Sequence, residues 1–276
     1  MDLKQLLKGR LTKEELEKLK TSFDILGDIA IIEIPDELKK KEKEIARALV
    51  KVNPHIKTVM KKLGERSGEY RLRKLEPVLG RKTETEVKEH GCVFRLDVMK
   101  AYFSPRESTE RQRVAEAVKP GETVLVMFSG IAPFAITIAK KQPKVGRVYA
   151  VEINPDAHKW AIENVRINKV GGRVFPLCGD ARRACTKFYG KCDRVIMPLP
   201  KEGHRFLPIA IKCLKPGMGT IHFYYVGMKD SMFRTATDVV KMECRKLGRK
   251  CRITGQKAIL PYSPGSYKVC IEFSVQ

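Results

Sequence analysis

Hydrophobic and polar positions alternate differently in the two parts of the chain. From residue 122 onward, short continuous apolar runs are separated by segments of helical period. Val124–Phe128, the stretch RVYAVEIN at 147–154, RVFPLCGDA at 173–181, VIMPLP at 195–200, GTIHFYYVG at 219–227 and KVCIEFSVQ at 268–276 read as strands. Between them, Phe134–Ala139, Pro155–Asn168, residues 204–214 and residues 230–248 read as helices. Strands alternating with helices predict an α/β fold, a doubly wound, mostly parallel sheet of Rossmann type.

Upstream the pattern is mixed. Residues 1–20 carry Leu3, Leu6, Leu7, Leu11, Leu16 and Leu19 on or near one face and predict one amphipathic helix. Ile29–Ile34 predicts a strand stopped by Pro35, and residues 36–52 a helix with Ile45, Ala46, Leu49 and Val50 facing a core. Residues 59–80 read as strand-like, and residues 83–98 as a hairpin around His90-Gly91. The expected organisation is a smaller N-terminal α/β domain at 1–95 and a larger doubly wound domain at 96–276. The stretch KAYFSPRESTERQRV links them, and Ser104 before Pro105 is placed to start a helix that carries Glu110.

The turn after Val124–Phe128 carries the chemistry. Strand, Ser129-Gly130 and helix open a nucleotide-binding βαβ unit, in which a ligand approaches the backbone at the carboxyl edge of the sheet. Glu152 ends the next strand, 22 residues beyond Gly130, close to the spacing at which an acid takes ribose hydroxyls. Asp180 ends the third and is placed to accept from an adenine amino group. Ala132 stands where a second turn glycine would sit, which disfavours a pyrophosphate. The expected cofactor is therefore S-adenosylmethionine (SAM), with a nicotinamide dinucleotide as the weaker alternative.

Composition adds a partner. Net charge is +23, with 22 Lys+Arg against 17 Asp+Glu in residues 1–90 (net +5) and 33 against 15 in residues 91–276 (net +18). Such an excess predicts a polyanion, nucleic acid first. No run approaches the roughly 20 apolar residues of a membrane helix, and the charged N-terminus is no secretory signal. Eight cysteines without a CxxC pair read as thiols in a reducing cytoplasm, with no metal site expected.

Taken together and in order, YFSPRESTERQR, VLVMFSGIAPFAI, VEINPDAHKWAIENVRINKV and RVIMPLP resemble the archaeal and eukaryotic-type tRNA (guanine-37 N1)-methyltransferases, and GEYRLRKLE and FDILGDIAIIEIP extend the likeness over nearly the whole chain. The resemblance implies a class I SAM methyltransferase, acting on the anticodon stem-loop of tRNA as a monomer, without metal. It implies Arg71 as the catalytic arginine, Glu110 as the general base, and Pro198 at the base-holding position. Tyr102, Phe128, Ser129, Gly130, Glu152 and Asp180 fall on cofactor contacts. The additional N-terminal recognition domain of some members has no expected counterpart. Two positions depart from the family's usual pattern: Val126 replaces an aspartate, and Pro198 replaces the asparagine of NLP. Two alternatives accompany this reading. One is the related wybutosine-pathway family, which transfers the 3-amino-3-carboxypropyl group of SAM. The other is a non-catalytic RNA-binding paralogue.

Overall fold

The computed structural model describes residues 2–217 and 219–276, with backbone alone at residues 65–67. The chain forms two compact units, Met1–Lys88 with Val93–Pro105, and Glu89–Cys92 with Arg106–Gln276.

The expected single helix over residues 1–20 is two short ones in the first unit, α1 (Leu3–Leu7) and α2 (Lys13–Lys18). Gly9 takes φ +81°, which ends the first. Thr12 starts the second through a capping box, its hydroxyl accepting from the Glu15 N–H while the Glu15 carboxylate accepts from the Thr12 N–H. Leu3, Leu7, Leu11 and Leu19 are nevertheless all buried, so the apolar stripe does its packing across the break.

A four-stranded sheet runs in the order β1 (Phe23–Leu26), β2 (Ile29–Ile32), β3 (Thr58–Ser67), β4 (Leu72–Leu79). Strand β2 stops two residues short of the expected Ile34, ahead of Pro35. It is buried at every position and parallel to β3, and helix α3 (Glu42–Val52) lies between them in sequence with Ile45, Ala46 and Leu49 in the core. β5 (Glu84–Glu89) and β6 (Cys92–Asp97) form the expected hairpin. His90 and Gly91 both have positive φ, the requirement of a tight two-residue turn that matches strand twist.

A 3-10 turn, Pro105–Glu107, leads into α4 (Ser108–Glu116) of the second unit. Its elements continue β7 (Thr123–Met127), α5 (Pro133–Lys141), β8 (Arg147–Glu152), α6 (Pro155–Ile167), β9 (Val174–Cys178), α7 (Ala181–Ala184), β10 (Arg194–Met197), α8 (Leu207–Cys213), β11 (Thr220–Met228), α9 (Arg234–Lys246), β12 (Cys251–Ser263) and β13 (Ser266–Val275). The sheet order is β12-β13-β11-β10-β7-β8-β9. Strands β9, β8, β7, β10 and β11 are parallel, and β13 is antiparallel to both its neighbours. The order reverses at β7, which lies between β8 and β10; that is the point where doubly wound sheets bind ligands.

The hydropathy pattern did not reveal β12. Register shifts at Ile253/Gly255, Ala258/Leu260 and Pro261/Ser263 break its alternation, and it takes the sheet edge, where a proline is tolerated. The terminal strand β13 is therefore interior. Phe273 pairs with Ile221 on one side and Ile253 on the other and is fully buried, whereas Leu260 on β12 is half-buried. Phe273→Ala is expected to cost about 3–5 kcal/mol, and Leu260→Ala distinctly less, in chemical unfolding of the full chain. Equal losses would place β13 at the edge instead.

Candidate active site

Three strand ends build the carboxyl edge of the sheet. The turn after β7 is strained and wired to β8. Phe128, Gly130 and Ala132 take φ of +55°, +55° and +65°. The alanine in place of a second glycine thus adopts the glycine conformation, and non-glycine residues there signal a tertiary constraint. The constraint is visible. The Ser129 N–H donates to the Val151 carbonyl at 2.9 Å, and the Ala132 N–H to Ser129 O at 2.9 Å. The Gly130 N–H donates to Glu152 Oε2 at 2.6 Å, and Glu152 Oε1 accepts from the Asn154 N–H at 2.9 Å.

Burial pushes the Glu152 carboxyl up, opposed by these backbone N–H groups. Each oxygen keeps acceptor capacity. The Ser129 hydroxyl, also buried, has no partner among the described residues. Asp180 follows β9 and caps α7, accepting from the Arg182 N–H at 2.8 Å. Phe128 meets Phe206 edge-on at 4.8 Å between centroids, and the Arg182 guanidinium lies 5.5 Å from the Phe206 ring centre. Two carboxylates with unused lone pairs, an orphan hydroxyl and an aromatic wall fit a ligand with ribose hydroxyls, an amino-bearing base and no phosphate.

Glu110 sits in the first turn of α4 and is buried. Its Oε2 accepts from Arg113 Nε and its Oε1 from Arg113 Nη2, each at 2.7 Å, and Oε1 also accepts from the Tyr224 hydroxyl at 2.5 Å. Glu110 thus forms a buried ion pair with Arg113, three residues along the same helix. Tyr224 lies 6.0 Å from Phe134 between ring centres, which brings Glu110 towards the start of α5 and the β7 turn.

Arg113 Nη1 bonds Glu272, and His222 Nδ1 approaches Glu272 Oε1 to 3.2 Å. His222 Nε2 is 2.7 Å from Arg194 Nη1. Because a guanidinium only donates, Nε2 is the acceptor and the imidazole proton is on Nδ1, which lies near Glu272 without hydrogen-bond geometry. Arg194 in turn forks onto Glu122 at 2.8 and 3.0 Å. Burial pulls the His222 pKa down, and contact with His222, then Arg113, holds the Glu272 carboxyl at about 2. His222, Cys270 and Glu272 form a cluster of metal-ligand type, but the imidazole lone pair is taken by Arg194 and a second guanidinium covers Glu272, which opposes a dication.

The remaining expected residues fall as follows. Pro198 follows β10 in a tight turn closed by the Leu199 N–H on the Met197 carbonyl at 2.9 Å; the proline supplies no side-chain donor. Val126 is buried inside β7, paired with Ala150 and Ile196. Arg71 and Tyr102 belong to the first unit. Arg71 is half-buried in the β3–β4 turn at φ +51°, its N–H on the Gly68 carbonyl, and Tyr102 is exposed just before Pro105. Tyr224, His222 and Glu272 went unnoticed in the sequence. Their signal was polar residues two apart inside apolar strands, which puts them on one face.

The fold and this edge define a doubly wound α/β protein of the SAM-methyltransferase class. The model of the TRM5/TYW2 methyltransferase domain matches residues 85–254, and that of the TYW2 N-terminal domain residues 3–83. The chain is 44% identical to tRNA (guanine(37)-N(1))-methyltransferase Trm5b of Pyrococcus abyssi over 95% of its own length and 77% of the relative's. The crystal structure of that Trm5b superposes with a TM-score of 0.87 at 43% identity, covering 96% of this chain and 78% of the other. A tRNA(Phe) (4-demethylwyosine(37)-C(7)) aminocarboxypropyltransferase of Methanocaldococcus jannaschii is 32% identical over 91% of this chain and 96% of its own. M. jannaschii TYW2 in complex with AdoMet matches with a TM-score of 0.72 at 27% identity, over 92% and 99% of the two chains. The chain belongs to the TRM5/TYW2 methyltransferase family.

The charge ladder makes stability acid-sensitive. The Glu272 carboxyl titrates at about 2 in the folded chain against an ordinary value of 4.5. A depressed carboxyl stabilises fully above the ordinary value and loses that contribution as pH falls towards about 2. Glu272→Gln is expected to cost on the order of 3 kcal/mol at pH 7 and to converge on the parent near pH 2, in unfolding free energies measured across that window. A constant difference at all pH values would show that the carboxylate's charge is not what stabilises.

Proposed function

We propose that this chain is a SAM-dependent tRNA methyltransferase that methylates N1 of guanosine 37, next to the anticodon. The observation that carries the reading is Glu110, a carboxylate held at the start of α4 and linked through Tyr224 to the turn where the cofactor edge begins, in a chain of this family.

N1 of guanine carries a proton at neutral pH and is a poor nucleophile until it leaves. Glu110 takes that proton as general base. Among the described residues its Oε2 accepts only from Arg113 Nε, while Oε1 accepts from two donors, so Oε2 is the oxygen with room for it. As the proton departs, negative charge grows on O6, and Arg71 stabilises it more than it stabilises the ground state. Glu152 holds the ribose hydroxyls, Asp180 the adenine amino group, and Ser129, Gly130, Phe128 and Tyr102 complete the cofactor contacts. SAM supplies an electrophilic methyl on a sulfonium. The residues at Pro198 hold the target base through backbone groups, since the proline side chain offers none. The guanine leaves its stack to enter such a pocket. The net +18 of residues 91–276 supplies phosphate contacts. In this reading the protein works as a cytoplasmic monomer without metal; no helix among the described residues is long and apolar enough to cross a membrane.

A second reading has its own support. The match of residues 3–83 to the TYW2 N-terminal domain favours transfer of the 3-amino-3-carboxypropyl group to a modified guanosine instead. Incubation with SAM and tRNA transcripts, followed by nucleoside mass analysis, separates the two. Methyl transfer adds roughly 14 Da and the larger group roughly 101 Da, according to which carbon–sulfur bond breaks. A gain of roughly 14 Da on guanosine 37 is expected; the heavier product would replace this reading with the second.

Glu110→Gln keeps the size and one acceptor oxygen, loses one arm of the Arg113 fork, and cannot take the proton. Its single-turnover rate is expected to fall by about 10²–10⁴-fold with tRNA and SAM affinities nearly unchanged. A normal rate would remove Glu110 from the chemistry.

A further inference from the structure

The face of the sheet beneath Glu110 is polar in an ordered way. Register places His222 opposite Glu272 and Tyr224 opposite Cys270 on the β11–β13 ladder. With side chains alternating, these four share one face, while Ile221, Phe223, Ile271 and Phe273 fill the other. From this face the contacts run in one line: Glu122 to Arg194, Arg194 to His222, His222 to Glu272, Glu272 to Arg113, Arg113 to Glu110. Charge alternates along the line, apart from the neutral imidazole between Arg194 and Glu272.

The Tyr224 ring is fixed independently. Lys268 Nζ lies 4.8 Å above its centre and pairs with Glu107 at 2.8 Å on the turn that leads into α4; Lys268 and Glu107 are both buried. Glu110 therefore has neither rotamer freedom nor a choice of partners. The planar guanidinium sets the plane of its carboxylate, and the Tyr224 hydroxyl occupies the second site on Oε1, which directs a proton to Oε2.

We propose that Tyr224 and Arg113 are positioning residues that keep the Glu110 carboxylate oriented, with Oε2 presented to the substrate. The proposal rests on the reading of Glu110 as the base. It does not make either residue a proton acceptor. Arg113 stays charged, its ion pairs pushing its pKa up, and burial pushes the Tyr224 and Cys270 pKa values up, so both remain protonated at working pH. Arg113 on α4, Tyr224 on β11, Cys270 and Glu272 on β13, and the Lys268–Glu107 pair against the Tyr224 ring are the titratable groups gathered around Glu110 among the described residues.

The test is a mutant cycle on the full chain, read as single-turnover rate on tRNA with saturating SAM. Tyr224→Phe removes one hydroxyl and keeps the ring. It is expected to slow the step about tenfold or more, the scale of a hydrogen bond to a charged group. The KM values for tRNA and SAM should stay within about twofold, and the acid limb of the pH–rate profile should move to higher pH, because a donor that favours the ionised base is gone. Arg113→Lys retains charge but cannot fork, and is expected to slow the step at least as much.

In a Glu110→Gln background, Tyr224→Phe should cost less than about a further twofold, because it acts through the carboxylate already removed. If Glu110→Gln is slow and Tyr224→Phe leaves rate and pH limb unchanged, or costs the same factor in both backgrounds, positioning is overturned while the base assignment stands. If Glu110→Gln turns over normally, the base assignment fails and positioning falls with it. Should Arg113→Lys not fold, the near-isosteric Tyr224→Phe decides the matter alone.

Discussion

The second unit depends on satisfying buried charge. Arg194, Arg111, Glu110, Glu107 and Lys268 are all nearly excluded from solvent. Removing one partner from such a pair leaves an uncompensated charge, a loss on the order of several kcal/mol, so every member constrains the next. Arg111 forks onto Glu89 at 2.6 and 2.7 Å, Arg113 onto Glu110, and Arg194 onto Glu122. Two of these guanidinium groups leave α4 one turn or less from the carboxylate at its start. A helix held by forks cannot rotate or slide without breaking several charged contacts at once, and this gives a carboxylate on a short helix a defined direction.

The cofactor edge is held by the opposite economy of means. Its turn has few side chains, and three positive-φ residues in five are kept in place by backbone hydrogen bonds to β8 and by the Glu152 carboxylate. Glu152 thus serves two ends. It locks the turn through the Gly130 N–H and keeps acceptor capacity at the carboxyl end of β8. Strain of this kind persists only where the surroundings over-determine it, and here the over-determination comes from the neighbouring strand.

Methyl and aminocarboxypropyl transfer draw on the same cofactor and can use the same strand ends, so the edge itself does not choose between them. The choice lies with the groups that meet the target base. In the proposed reading, Glu110 serves the removal of a proton from a ring nitrogen. Pro198 offers no side-chain amide and leaves only backbone groups in its tight turn, so if it meets the base as proposed, orientation falls to other residues.

Periodicity was sufficient for the parallel strands β7 to β11, for α5, α6 and α8 between them, and for the placement of the acids at 152 and 180 at strand ends, because a buried strand needs an unbroken apolar run; it missed the single turn of α7. The same logic failed where local signals conflict. Gly9 and a capping box cut one amphipathic stripe into two helices, and bulges with Gly255 and Pro261 hid β12. What the residues alone could not decide was the state of Glu110. In sequence it stands three residues from Arg113, a spacing equally consistent with an exposed i,i+3 ion pair. Distant strands supply Tyr224 and Glu272, and only their register brings a hydroxyl to the Glu110 carboxylate and a second carboxylate to its Arg113 partner. Local pattern determines which face of an element is buried; long-range pairing determines which polar groups are buried together, and that sets a carboxylate's partners and direction.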